Sequence, residues 1–298
     1  MLLRVASILL LACVLAPAAV AAQSGAQRVR VAVLDFGRTE TGRRAAEALA
    51  GALPAEGFVT VDRDLSRDAA RGTGYEGSLN LTLREARDLG AAIDCDFFVT
   101  GDAQTLRRSP STGAIYFESY ASVFVVSAHT GRLVMWARPS REAATPEAAE
   151  KALLEGVDDL AATCRVAILR WQEDEQARRR REPARGDAPP VEDAPEPGSA
   201  AASNFREPAP YRRLRPTYTD EAARASAEAT VDVTVEVGAD GEPGRVEVVR
   251  WAGFGLDEAV VSTVRQMHFR PATRDGTPVP VRILLRYNFR APKKESKQ

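Results

Sequence analysis

The sequence predicts an α+β protein with two domains: a mixed-sheet α/β amino-terminal domain and a small three-stranded antiparallel sheet with a packed helix. Three observations predict this fold class. Strand and helix patterns alternate over residues 27–172, and a hairpin, a helix and a further strand occupy residues 206–290. Between them, residues 173–205 contain five prolines among charged and small residues, which is typical of a disordered linker.

The composition is that of an ordinary soluble protein. The 298 residues are 45% hydrophobic and 27% charged, with a formal net charge of −1. This excludes collagen, wholesale disorder and a polytopic membrane protein, and the balanced charge predicts no nucleic-acid partner. The two histidines, His129 and His268, have neither a recognisable Ser or Cys nucleophile nor zinc-spaced ligands near them in the sequence. We therefore expect no enzymatic activity, no cofactor and no metal.

Residues 1–22 have the pattern of a secretory signal peptide. Arg4 precedes an apolar run and small residues end the segment, so we expect cleavage near Ala22 and a periplasmic location. Two alternatives stay open. An uncleaved leader would anchor the protein in the inner membrane, and the residues before Cys13 are similar to a lipoprotein processing site.

Cleavage of the leader leaves two cysteines, Cys95 and Cys164. Because thiols oxidise outside the cytoplasm, we favour one disulfide between them. The alternative is a pair of buried free thiols, since cysteine is among the most buried residue types.

The amino-terminal domain, residues 27–172, is predicted to have the element order βαβαβββα. The predicted strands are residues 28–36, 58–61, 96–104, 115–127 and 133–138. The predicted helices are residues 41–53, a second that begins with a capping box of Thr82 and Glu85, and a third that begins at Pro146. Two pairs of carboxylates are interpreted as turn and cap residues, with calcium binding as the alternative: Asp62 with Asp64, and Asp94 with Asp96.

The segments VAVLDF, GFVTVDRD and DCDFFVTGDA carry a family resemblance. They resemble the sheet domain shared by the TolB amino-terminal region, CsgG and the penicillin-binding-protein activator lipoproteins. This resemblance implies an envelope-associated binding scaffold rather than an enzyme.

The predicted linker, residues 173–205, contains a run of arginines, Arg178 to Arg181. Its prolines favour an extended form that could hold the two domains well apart. The arginines are interpreted as a solvated end of the preceding helix, with docking on anionic lipid or glycan as the alternative. Residues 291–298 are predicted to be a disordered tail.

The second domain, residues 206–290, is predicted from a period-two pattern and one helical stripe. Residues 230–237 and 245–251 form a hairpin, residues 256–267 form a helix, and residues 279–289 form a third strand. The prediction is therefore an antiparallel three-stranded meander with one helix packed on it.

This domain closely resembles the TonB carboxy-terminal domain. The match lies in the hairpin TVDVTVEVGADGEPGRVEVV, the block LDEAVVSTVRQMHFRPA and the closing strand GTPVPVRILLRYNF, with Pro216 and Tyr218 upstream. The resemblance implies that the domain binds a short extended peptide of an outer-membrane transporter by adding it as a strand to an exposed sheet edge. Arg215 and Thr219 stand where the family usually has Gln and Pro, which puts contact specificity there in doubt.

An unpaired sheet edge can accept a foreign strand because its N–H and C=O groups lack partners. We expect this edge to be the last strand, and the partner-binding residues to lie there and in the upstream segment. They are Arg215, Pro216, Tyr218, Leu284, Leu285, Arg286, Tyr287, Asn288 and Phe289. For Tyr218 the alternative is a packing role alone.

The function expected is a periplasmic, TonB-like protein that binds an extended segment of an outer-membrane transporter or other envelope protein, in support of envelope transport. A membrane-anchored energy transducer is one alternative, although the apolar leader lacks the histidine that the family's anchor carries. A structural envelope factor that binds cell-wall machinery is the other, and a homodimer is a further partner that an open edge allows.

Overall fold

A six-stranded mixed sheet is the centre of the amino-terminal domain in the computed structural model, which describes residues 28–110, 112–181, 191–196 and 198–291. The strand order is β2-β1-β3-β4-β5, with β6 also paired to β4. The elements are β1 (Val29–Phe36), α1 (Glu40–Ala52), β2 (Phe58–Thr60), α2 (Arg63–Gly72), α3 (Leu83–Ile93), β3 (Phe97–Arg108), β4 (Tyr116–Ser127), β5 (Leu133–Ala137), β6 (Ser140–Ala143), α4 (Pro146–Glu155) and α5 (Val157–Arg181).

Side-chain caps fix where the helices begin. Thr39 caps α1 through the amide of Gly42, and Thr82 and Glu85 form the predicted capping box of α3. Thr145 caps α4, whose first residue is Pro146. These local signals explain why the predicted helix starts agree closely with the structure.

The two faces of the sheet carry separate apolar layers. Successive side chains of a strand point to opposite faces, so Val31 and Val33 of β1 pack with α1, α4 and α5, whereas Ala32 and Leu34 pack on the side of α2 and α3. The predicted mixed sheet covered by helices is therefore confirmed, with α2 and β6 added and the last predicted helix divided into α4 and α5 at Gly156.

The carboxy-terminal domain is built on a second, three-stranded antiparallel sheet in the order β10-β9-β14. Its elements are β7 (Phe205–Arg206), β8 (Ala209–Pro210), α6 (Asp220–Ala225), β9 (Ala229–Val237), β10 (Pro243–Arg250), α7 (Leu256–Arg265), β11 (Phe269–Arg270), β12 (Ala272–Arg274), β13 (Thr277–Val279) and β14 (Val281–Phe289). The strand β9 lies in the centre, so the predicted meander is wrong in strand order: β14 returns to the free side of β9 rather than to β10.

One face of β9 is fully buried. Its four alternating valines, at positions 231, 233, 235 and 237, share an apolar core with Leu256, Val260 and Val264 of α7. The helix packs on the sheet because its apolar stripe and the period-two stripe of the strand exclude water together.

The two domains pack directly on each other. The Phe124 ring lies 5.8 Å from the Trp251 ring and 5.5 Å from the Phe254 ring, and Trp136 lies 5.5 Å from Phe254. The indole N–H of Trp251 donates to the carbonyl of Gly131 over 3.1 Å. The prediction of two domains held apart by a stiff spacer therefore differs from the structure, in which these rings belong to one continuous apolar core.

Polar groups complete this interface. The Asn80 amide donates to the carbonyls of Thr230 (2.8 Å) and Trp251 (2.6 Å), and its Oδ1 accepts from the amide of Thr230 (3.0 Å). The close approach of the two domains also requires a glycine at position 253, next to the Phe124 ring. Gly253 has φ +71°, and a Cβ there would lie 2.5 Å from the Phe124 ring.

The segment predicted as a linker is structured in part. Helix α5 continues through the arginine run to Arg181, and residues 192–194 contact the start of β14, as described below. Residues 182–190, the predicted leader and most of the predicted tail lie outside the described residues. Within the described ranges, no helix has both the length and the apolar character needed to cross a bilayer.

Candidate partner-binding edge

The outer edge of β14 is the place where main-chain groups face away from the sheet. Its register with β9 is continuous from Val281 to Phe289. The Arg282 amide donates to the Glu192 carbonyl over 2.8 Å, and the Arg282 carbonyl accepts from the Ala194 amide over 2.9 Å, so both groups of Arg282 point away from β9. Because a strand alternates, the groups that also point outward belong to every second residue: Leu284, Arg286 and Asn288.

No further strand covers this edge beyond Arg282 among the residues that the structure describes. Each outward amide and carbonyl there is directed to solvent, where an incoming chain could pair with it. Leu284 is 56% exposed on the same stretch. With respect to the described residues, the edge is therefore open from Leu284 to the end of the strand.

The other side chains of β14 hold the strand in place. Leu285 and Tyr287 are half-buried and Phe289 is buried, all against the core under α7. The Tyr287 hydroxyl lies 3.8 Å from the sulfur of Met267. Of the predicted partner-binding residues, these three pack inward, so a partner added at the edge would contact the alternate residues through their side chains.

An ion-pair cluster stabilises the opposite face of the sheet. Arg286 donates two hydrogen bonds to Asp232 (2.7 and 2.9 Å), and Arg250 donates a third over 3.2 Å. Burial of Asp232, whose side chain is 4% exposed, would raise its pKa, but the hydrogen bonds and charges of Arg286 and Arg250 outweigh burial and hold the pKa below its usual value. Arg286 therefore links the edge strand β14 to the central strand β9.

The predicted upstream segment reaches the end of the same strand. Tyr218 packs its ring 6.3 Å from Phe289, and its hydroxyl lies within hydrogen-bonding distance of the carbonyls of Ala222 (3.0 Å) and Ala227 (2.8 Å). Burial raises the pKa of Tyr218. These contacts favour the packing alternative for Tyr218, whereas Arg215 is exposed and Pro216 is half-buried.

The predicted disulfide is wrong. Cys95 and Cys164 are free and buried. Cys95 lies in the apolar layer of α2 and α3 and Cys164 in that of α4 and α5, so the sheet separates the two thiols. Burial raises the pKa of each thiol to about 12.

The paired carboxylates have structural partners. Asp62 caps α2 through the amide of Leu65 over 3.0 Å, and Asp64 lies 3.4 Å from Arg67. Asp94 pairs with the Arg30 guanidinium at 2.6 Å, and Asp96 accepts from the Arg30 amide over 2.8 Å. Asp62 and Asp94 thus have the cap role expected of them, as the N-cap of α2 and the C-cap of α3, whereas Asp64 and Asp96 make other structural contacts. Over the described ranges, no three or more His, Cys, Asp or Glu side chains form a metal-binding group.

The opposite sheet edge, β10, is partly covered by the amino-terminal domain. The Trp251 amide, just after β10, donates to the Leu81 carbonyl over 3.3 Å. Between this edge and the amino-terminal domain lies a cleft of about 700 Å³, lined by Leu133, Trp171, Val248 and Val261 among others. Arg132 forms an ion pair with Glu247 beside the cleft. This cleft and the contact of residues 192–194 with β14 were missed from the sequence, because no residue spacing signals either of them.

Comparisons with known proteins found a match to the carboxy-terminal part of the chain. The family model described as Gram-negative bacterial TonB protein C-terminal matches residues 215–291. A solution structure of the Pseudomonas aeruginosa TonB C-terminal domain is similar, with 22% identity and a TM-score of 0.26, over 33% of this chain and 97% of that chain.

Other similar structures cover a larger share of this chain. The hypothetical protein CT253 from Chlamydia trachomatis is 10% identical with a TM-score of 0.33, over 47% of this chain and 96% of that one. Lipoprotein GNA1162 from Neisseria meningitidis is 10% identical with a TM-score of 0.32, over 46% and 99%. No curated protein matches the chain. The match over residues 215–291 therefore assigns this part of the chain to the TonB C-terminal domain family.

Proposed function

We propose that this protein is a non-enzymatic, periplasmic binding module that captures an extended segment of an outer-membrane or other envelope protein by strand addition. The partner strand would pair with the outer edge of β14 from Leu284 to Phe289. The observation that carries the proposal is the row of outward main-chain groups at Leu284, Arg286 and Asn288, held on a sheet whose inner face is buried.

The chemistry of this edge favours a partner recognised mainly through its backbone. The strand offers three residues with outward amides and carbonyls, while the side chains of Leu285, Tyr287 and Phe289 are engaged in the core and Leu284 is exposed. Main-chain pairing gives affinity with little demand on sequence, and side chains that alternate along the partner provide selectivity. The TonB C-terminal domain assignment supports an envelope protein as the partner.

The amino-terminal domain, which packs on the carboxy-terminal domain, would fix the orientation of a captured strand. Because Asn80 and the Phe124 and Trp251 rings couple the two domains, a captured strand would be held in a constant position relative to the six-stranded sheet. The module would therefore act as one body rather than as a binding head on a free tether.

Photocrosslinking in cells tests the proposal. A photoreactive amino acid at Leu284 of the full chain should give adducts with an envelope protein that mass spectrometry identifies. The matched control is Leu65 on helix α2 of the amino-terminal domain, which is 68% exposed. Identical adducts from both positions, or self-dimers alone, would count against strand addition.

A second comparison tests whether main-chain bonds carry the affinity. With the photoreactive residue at Asn288, Leu284→Pro should abolish the adduct because it removes an outward N–H without removing a bond to β9, and prolines are tolerated on edge strands. Leu284→Ala keeps that N–H and should keep the adduct. Equal adduct yields from two equally stable variants would refute main-chain recognition.

A further inference from the structure

A short segment of the chain itself already lies on the proposed edge. We call Glu192–Ala194 the strap. It pairs with β14 in the parallel direction, Asp193 beside Arg282, through the two main-chain hydrogen bonds of 2.8 and 2.9 Å. The strap therefore shows one direction, parallel to β14, in which this edge accepts a chain.

The strap is acidic and the side chains beside it are basic. Glu192 lies 3.4 Å from the guanidinium of Arg274, and Asp193 lies 3.4 Å from that of Arg282. The guanidinium of Arg282 is also 3.1 Å from Glu236 on β9. Arg282 therefore forms ion pairs with both the sheet and the strap. Two consecutive acidic residues of the strap therefore each pair with an arginine, one on β12 and one on β14.

The strap covers only the first position of the edge. After Ala194 the chain turns, since the Ser199 amide donates to the Glu196 carbonyl over 3.0 Å. The outward groups of Leu284, Arg286 and Asn288 lie beyond it. A longer chain that enters in the same direction could make the contacts of the strap and also pair with these three residues.

The contacts that hold the strap are weak enough to exchange. Its two acidic side chains are 71% and 78% exposed and the two arginines 43% and 38%, and ion pairs this accessible to solvent contribute little to stability. Its advantage over a free peptide is its covalent attachment, which gives it a high effective concentration at the edge.

We propose that the outer edge of β14 recognises an acidic extended segment in parallel orientation, and that Glu192–Ala194 occupies its first position until such a segment displaces it. This inference rests on the proposed function for the existence of an external partner. Beyond the proposed function, the inference states that the partner segment is acidic, that it runs parallel to β14, and that the strap competes with it for the edge.

Amide hydrogen exchange of the full chain tests the strap. The Arg282 amide, which donates to Glu192, should exchange at least tenfold faster in Asp193→Lys than in the wild type. Glu196→Lys is the matched control because it makes the same charge change in the same segment, at a side chain outside the ion pairs described. An unchanged exchange rate of the Arg282 amide in Asp193→Lys, or an equal effect of Glu196→Lys, would refute the inference that the acidic side chain of Asp193 holds the strap on the edge.

A labelled peptide tests the chemistry of the partner. The probe is an acetylated and amidated peptide of residues 191–196, measured by fluorescence anisotropy against the full chain. Asp193→Lys should bind it at least fivefold more tightly than the wild type, because the competing strap is lost, and a peptide with lysine in place of both strap acids should not bind. Equal binding of the two peptides, or no binding to Asp193→Lys at millimolar concentration, would refute an acidic partner.

The two proposals fail separately. Envelope adducts at Leu284 together with unchanged exchange in Asp193→Lys would leave strand addition standing and remove the strap. Faster exchange and peptide competition without any envelope adduct would leave the strap standing and remove the proposed function.

Discussion

Asn80 is the residue whose substitution should reveal most about how the domains are joined. Its side chain makes three hydrogen bonds to the main chain of the other domain, with distances of 2.6, 2.8 and 3.0 Å. At about 1 kcal/mol for each bond, Asn80→Ala should lower the free energy of unfolding by about 2 to 4 kcal/mol. The range extends upward because the groups left at Thr230 and Trp251 are partly buried and would lose their partner.

The assay is urea unfolding followed by far-ultraviolet circular dichroism and by tryptophan fluorescence, since Trp251 lies in the interface. Asn204→Ala is the matched control: its amide bonds only to the exposed carboxylate of Asp275, and it should cost less than about 1 kcal/mol. If Asn80→Ala and Asn204→Ala shift the unfolding midpoint equally, the reasoning that Asn80 joins the domains is refuted.

Three further predictions concern titratable groups. Burial raises the pKa of Asp257 to about 7 from an ordinary 3.8, so the folded state binds this proton more tightly than the unfolded state does. The free energy of unfolding of the wild type, relative to that of Asp257→Asn, should therefore fall as the pH rises from about 4 to about 7, by at most about 1.4 kcal/mol per pH unit. Denaturant titrations at several pH values measure this difference. Arg286→Ala should lower the urea unfolding midpoint at neutral pH because Asp232 loses two hydrogen bonds, while Arg286→Lys should restore part of this; equal losses in the two variants would contradict a role for the guanidinium geometry. Cys95 and Cys164 should both react with a thiol reagent in urea without prior reduction and neither should react in the native protein, whereas a missing thiol in urea would indicate a disulfide.

The predictions that succeeded depended on local chemistry. The Thr82 and Glu85 capping box was identified from a spacing of three residues, and the strand β9 from four valines at alternate positions. Both patterns arise from interactions within a few residues, so the sequence contains all the information that they need.

Helix α2 was missed because it lacks such a pattern. Most of its ten residues are charged or small, and only Ser66 and Ala70 are buried, so no apolar stripe marks it in the sequence. It is stabilised instead by its Asp62 cap and by ion pairs of Arg63 and Arg67 with Asp35 of β1, a residue far from it in sequence.

The predicted disulfide failed for a geometric reason. Oxidising conditions and an even number of cysteines favour a bond, but neither observation says on which side of a sheet a side chain lies. The strand order and the helix faces place Cys95 and Cys164 in the apolar layers on opposite sides of the sheet.

The amino-acid sequence by itself determined the two domains, most of their strands and helices, and the expectation that the last strand is an edge. Only the tertiary structure decided that β9 is central, that the domains share a core through Phe124 and Trp251, and that Glu192–Ala194 covers the start of that edge. The physical reason is range: caps and periodic patterns act over a few neighbouring residues, whereas Asn80 meets Thr230 across 150 positions of the chain, and such a contact forms only when whole apolar faces find each other.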